Sequence, residues 1–170
     1  MLREISETSL SVILRSMINV NIVLNLFGIN NTIEELKMLI ENASTIFKKI
    51  SHAAMRSGRS PESVKLIAVT KTVGIETIKE AIDAGLRIFG ENRVQEAQKK
   101  ISDLRFQITP QPRIWGVEWH LIGHLQKNKA KYAVQLFDLI HTVDSIELAE
   151  ELNRRAEKTR KIQRILVQVK

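Results

Sequence analysis

The chain has no cysteine among its 170 residues. Disulfides, thiolate metal sites and thiol nucleophiles are therefore excluded, and a cytosolic, cytoplasmic location is expected, where disulfides are rare. Metal-ligand spacing is missing too. The four histidines are scattered along the chain, with none of the intervals of a zinc site. There is no Gly-x-Gly-x-x-Gly turn, no nucleotide-type phosphate loop and no Gly-x-Ser-x-Gly elbow. Nor is there an apolar run of the ~20 residues that a membrane span needs. The nearest, MINVNIVLNLFGI, is interrupted by Asn19, Asn21 and Asn25. Glu4 and Glu7 precede it, against a secretory or acid-poor transit segment. The formal net charge is +7, but Lys and Arg interleave with acids along most of the chain, the pattern of a solvated surface. The one dense basic run, RRAEKTRKIQR at 154–164, contains no aromatic residue, so it lacks the stacking platform that single-strand binding uses. No nucleic-acid or membrane partner is expected.

What is present is one domain's worth of sequence, long enough to bury about two-thirds of its unfolded surface. Residues 1–31 differ from the rest and read as an N-terminal extension of uncertain structure, or as the product of a mis-assigned start. Order is expected from Thr32. Thr32-Ile-Glu-Glu35 has the form of a capping box, and Ile33, Leu36, Ile40, Ala43, Phe47, Ile50 and Ala54 recur at helical spacing up to Gly58, a helix stop. Strands and helices then alternate. KLIAVT, LRIFG, EWHLIG, DLIHTV and RILVQV read as strands. Helical patterns separate them, and Asp144-Ser-Ile-Glu147 reads as a second capping box with Asp144 as the cap. Pro110 and Pro112 mark a loop. Alternation with short connections implies parallel strands and right-handed crossovers. An open doubly wound sheet and a (β/α)₈ barrel both fit, although complete barrels run to ~200 residues or more.

In either architecture a ligand sits at the carboxyl ends of the strands. The first strand ends on Thr70-Lys71-Thr72. A lysine beside a low-dielectric core loses hydration in its charged form, and partial burial lowers its pKa. A neutral amine attacks an aldehyde and forms a Schiff base. The plain alternative is a lysine that snorkels from the rim into water. Asn92 opens an Asn-x-x-Gln cap signature, and a cap is compatible with a ligand contact. His120 shares a strand face with Ile122 and reads equally as a hydrogen-bonded core residue. Lys127, Asn128 and Lys129 read as a helix start with solvated charge.

Taken together, AVTKTV, FGENRVQEA, WHLIGHLQKNK and IHTVDS, preceded by MRSGRSP, resemble the pyridoxal-phosphate homeostasis proteins, also called the YggS or proline-synthetase co-transcribed family. The resemblance covers residues 33–170. It implies a TIM-type (β/α) barrel like the N-terminal domain of alanine racemase, here an incomplete one of about five strands over residues 32–170. It implies pyridoxal 5′-phosphate (PLP) as cofactor, held as a Schiff base on Lys71, with Asn92 and His120 lining the pocket; Glu91, Gln126 and Asn128 match the motifs and could be structural. It further implies a cofactor carrier in vitamin B6 homeostasis with no catalytic residue of its own.

Two departures from the family pattern stand out. Many members carry a second lysine two positions after the first; this chain has Val73. Members also continue into a further half barrel, whose Ser-Met-Gly-Met-Ser-like and Arg-Ile-Gly-like segments hold the cofactor phosphate. Neither segment occurs here. The chain therefore resembles the first half of the barrel, and self-association or a second polypeptide completing it is expected. The alternatives are a fragment of a PLP-dependent racemase or decarboxylase, whose barrels carry a Lys-Ala-Asn-x-Tyr-Gly-type sequence instead of Lys-Thr-Val-Gly, and a non-catalytic basic binding protein.

Overall fold

The structure, a computed structural model, describes residues 30–107 and 116–169, with side chains over 34–104 and 116–169. Most of the N-terminal extension and the loop of Pro110 and Pro112 lie outside the described residues. The chain divides into two compact units, Met1–Ser44 and Thr45–Lys170. The described part of the first is helical. The second holds every described strand.

Helix α1 (Asn30–Arg56) begins ahead of Thr32, which lies inside it, so the expected capping box does not start this helix. Its end is as expected. Gly58 has φ +70, Arg59 N–H donates to Ala54 O and Gly58 N–H to Met55 O. These are the paired bonds of a Schellman motif, and the positive φ is why glycine stands there. After a 3₁₀ turn at Pro61–Ser63 come β1 (Ala68–Val69), α2 (Ile75–Asp83), β2 (Ile88–Glu91), α3 (Val94–Gln107), β3 (Glu118–Leu121), a 3₁₀ turn at Lys127–Lys129, α4 (Ala130–Leu136), β4 (Leu139–Val143), α5 (Ile146–Lys158) and β5 (Arg164–Val167). The cap of α5 is Ser145, whose hydroxyl accepts from Leu148 N–H. Asp144 is thus one residue too early to be the cap. Serine serves a cap as well as aspartate does, and the aspartate remains available to another partner.

All four strand pairings are parallel, and the sheet order is β1-β2-β3-β4-β5. That order decides between the two architectures left open above. A doubly wound sheet reverses direction at a switch point and places helices on both faces. A sequential order has no reversal, so right-handed crossovers put every helix on one face, as in a barrel wall. Burial follows that division. Phe89, Trp119, Leu121 and Ile140 are buried together with Ile78 and Ile82 of α2, Ala97 and Ile101 of α3, Val134 of α4 and Leu148 and Leu152 of α5. The Phe89 and Trp119 rings meet at 5.4 Å between centroids, across the paired register Phe89↔Trp119. On the alternate positions, which correspond to a barrel interior, Val69 and Leu166 are about half exposed, at 50% and 49%.

The basic run at 154–164 is partly engaged: Lys161 donates to Val134 O and Phe137 O and Arg164 lies 3.6 Å from Glu118. Arg154 and Arg155 both reach Glu151 at 2.7 Å, and their hydrogen bonds hold its carboxyl down to about 2. No described helix is long and apolar enough to cross a membrane.

Candidate functional site

The carboxyl end of β1 closes in a tight turn. Thr70 N–H donates to Gly90 O, extending the pairing with β2, and Val73 N–H donates to Thr70 O at 3.0 Å. Lys71 and Thr72 are the two corners of that turn. Thr72 has φ +63, a left-handed value that type II turns reserve for glycine or asparagine and that is an outlier for a β-branched residue. Lys71 is exposed, so the partial burial expected for it is not found. Among the described residues it has no hydrogen-bond or ion-pair partner. Its side chain is uncommitted while its backbone is held tightly.

The turn is held from α3. Lys100 Nζ donates to Thr70 O at 2.6 Å, to Glu91 Oε1 at 2.8 Å and to Glu96 Oε1 at 2.7 Å. Glu96 Oε1 also accepts Thr72 N–H at 2.7 Å, and Glu91 Oε1 accepts the Thr70 hydroxyl at 2.7 Å. Glu91 is fully buried and the Lys100 side chain only 11% exposed. Burial pushes the Lys100 ammonium down, but its bonds to the two carboxylates outweigh that and raise it. Glu96 is held below the usual carboxylate range by Lys100 and by Thr72 N–H. Glu91 is thus a structural residue here. Nothing in the sequence reading singled out Lys100. Its i,i+4 spacing from Glu96 is visible in the sequence, but that spacing ordinarily marks an exposed surface pair.

Asn92 follows β2 and is half-buried. Its backbone lies against Gly123, at the end of β3, where an added Cβ would come within 2.8 Å of Asn92 Cα and closer still to its carbonyl oxygen. Gly123 O accepts the Thr142 hydroxyl at 2.6 Å, which ties β3 to β4 at the same level. Gly123→Ala should therefore displace Asn92 and destabilise the chain by about 1–3 kcal/mol, the usual cost of overpacking. Chemical denaturation measures this, and a midpoint unchanged from the parent would show that the close approach is not real. His124 Nδ1 lies 3.7 Å from Asp144 Oδ2 on the exposed rim.

His120 lies one layer deeper. The registers Val69↔Gly90 and Gly90↔His120 put it two residues, about 7 Å, below the level of Lys71 and Asn92. It is buried, with both ring nitrogens engaged: Nε2 with Glu118 Oε2 at 3.3 Å and Nδ1 with His141 Nε2 at 3.1 Å. A carboxylate only accepts, so Nε2 carries the proton and Nδ1 accepts from His141. Burial pushes His120 down by more than Glu118 raises it. His141 is pushed down by burial and then by the charge of His120. Burial pushes Glu118 up, but His120, Lys65 and Arg164 outweigh it and hold the carboxyl low. Lys127 and Asn128 are exposed in the turn before α4, the solvated helix start expected of them. No hydrogen bond joins any two of Lys71, Asn92 and His120 among the described residues.

The two histidines make stability depend on pH. Their folded pKa values are depressed, so below the unfolded value of about 6.5 the unfolded chain takes up protons that the folded chain does not. Stability is full above that value and falls as the pH drops from about 6.5 toward the depressed folded values. Thermal melts across this range should show a declining midpoint, and the double variant His120→Gln, His141→Gln should flatten the slope. An equal slope in that variant would place the dependence elsewhere.

A sequential parallel arc with Lys71 and Asn92 at its strand carboxyl ends defines a class: part of the wall of a (β/α) barrel. The family model for the alanine racemase N-terminal domain matches residues 33–170, and the chain belongs to this family. Within it, the pyridoxal phosphate homeostasis protein of Escherichia coli K12 is 47% identical over 115 residues, covering 68% of this chain and 47% of that protein. The Aquifex aeolicus protein of the same name is 40% identical over 129 residues, covering 76% and 53%. Among solved structures, PipY of Synechococcus elongatus, with PLP bound, matches with a TM-score of 0.58 and 46% identity over 71% of this chain and 54% of that one. The chain spans about half the length of the curated relatives it matches.

Proposed function

We propose that this chain holds pyridoxal 5′-phosphate on Lys71 and serves vitamin B6 cofactor homeostasis in the cytoplasm, not catalysis. The observation that carries this reading is Lys71 itself: an uncommitted amine on a rigid turn, at the carboxyl end of the first strand of a barrel-type sheet. When bound, the cofactor supplies an aldehyde that condenses with a neutral primary amine, with loss of water. Lys71 is the residue here that fits that aldehyde. Asn92 lines the same level of the sheet. His120, neutral and with both nitrogens engaged, forms part of the floor beneath rather than a proton donor. In this reading a lone barrel leaves the cofactor face open to water, whereas catalysis on such a cofactor uses a site that excludes it.

The two phosphate-holding segments implied by the resemblance have no counterpart in residues 1–170. In this reading, residues 32–170 supply the covalent anchor, and the phosphate contacts come from outside residues 1–170. Titration with PLP, followed by cofactor absorbance, tests the reading. A saturable change that is lost in Lys71→Ala is expected; a change that persists undiminished in that variant would contradict it.

A further inference from the structure

We infer that Glu96, together with Lys100, is a positioning residue for Lys71: it holds the lysine's turn in a strained left-handed conformation and so fixes where the amine stands. This rests on the reading of Lys71 as the cofactor anchor and deepens it. Lys71 is flanked on both sides by backbone groups tied to α3. Before it, Thr70 O accepts from Lys100 Nζ at 2.6 Å. After it, Thr72 N–H donates to Glu96 Oε1 at 2.7 Å. Thr72 at φ +63 is in a region that disfavours a β-branched side chain, and such a conformation persists only where its surroundings hold it. The Glu96 carboxylate is the charged acceptor that does so, and it is in turn oriented by Lys100. A clamp of this kind fits an anchor that must present one amine repeatedly in one place, because misplacing a reacting group by about 1 Å costs on the order of a hundredfold. An ordinary solvated lysine on a strand rim needs no such support.

The experiment compares the parent chain with Glu96→Ala, Glu96→Asp and Glu96→Gln. Each is treated briefly with PLP and borohydride, and the pyridoxyl label is counted by peptide mass spectrometry on Lys71 and on Lys48, an exposed lysine of α1 that serves as internal standard. Hydrogen exchange of the 70–73 segment is measured in the same chains without cofactor. The parent should favour Lys71. Glu96→Ala should lower the Lys71-to-Lys48 ratio by about tenfold and speed exchange at Thr72. Glu96→Gln, which keeps a carbonyl acceptor for Thr72 N–H, should stay within about twofold of the parent. Glu96→Asp keeps the charge beside Lys100 but draws the carboxylate back by one methylene; it should behave like alanine, and it serves should Glu96→Ala fail to fold. If the parent favours Lys71 and the alanine and aspartate variants favour it equally, the positioning role is overturned while the anchor stands. If the parent itself labels Lys71 and Lys48 alike, the anchor reading fails and the positioning role with it.

Discussion

Lys100→Met should destabilise the chain by about 3–5 kcal/mol, the cost of leaving a buried charge without its partner. The residue left behind is Glu91, fully buried at the end of β2, whose Oε2 has no hydrogen-bond partner even in the parent. Without Lys100, the Thr70 hydroxyl is the remaining donor to that carboxylate. Exposure decides the magnitude. Lys65 also pairs with a carboxylate, Glu118, but at 3.4 Å with its own side chain 52% exposed, and Lys65→Met should cost less than about 1 kcal/mol. The double variant Glu91→Met, Lys100→Met should recover much of the loss, since replacing both members of a buried pair by apolar side chains is often close to neutral. Urea denaturation of the four chains tests this. A Lys100→Met midpoint no lower than that of Lys65→Met would show that the pair is not buried as described.

A polypeptide of residues 1–170 should bind PLP about a thousandfold more weakly than a full-length relative such as the E. coli homeostasis protein does. The covalent anchor is common to both in the proposed reading, but the phosphate contacts are not. About three charge-assisted hydrogen bonds at roughly 1.5 kcal/mol each amount to about 4.5 kcal/mol, which is a little over three powers of ten in affinity. Equilibrium dialysis of the two proteins side by side measures the gap. Matching affinities would mean that a group within residues 1–170 holds the phosphate. Recovery of tight binding as protein concentration rises would mean that a second copy completes the site.

The strands were readable from the sequence because each is a short apolar run between helical patterns or loops, and all five appear where those runs lie. Their order was not readable, since a doubly wound sheet and a barrel wall share the same alternation; only the pairing β1-β2-β3-β4-β5 separates them. The caps were read with less accuracy. Thr32 lies inside α1 and Ser145 displaces Asp144, because several good capping residues stand side by side and local chemistry alone does not choose among them. The strand-end rule places Lys71 just past the carboxyl end of β1, as the structure does, but the burial expected for it is not found. What distinguishes Lys71 is the support beneath it, Glu91, Glu96 and Lys100. Three charged residues that converge from a strand and a helix leave no periodic mark in a sequence.

The most direct measurement is the location of the label after PLP and borohydride treatment of the whole chain, with every lysine peptide quantified by mass spectrometry. The proposed function predicts that pyridoxyl accumulates first and most on Lys71, ahead of other exposed lysines such as Lys48 and Lys127. Even labelling across the exposed lysines would contradict it.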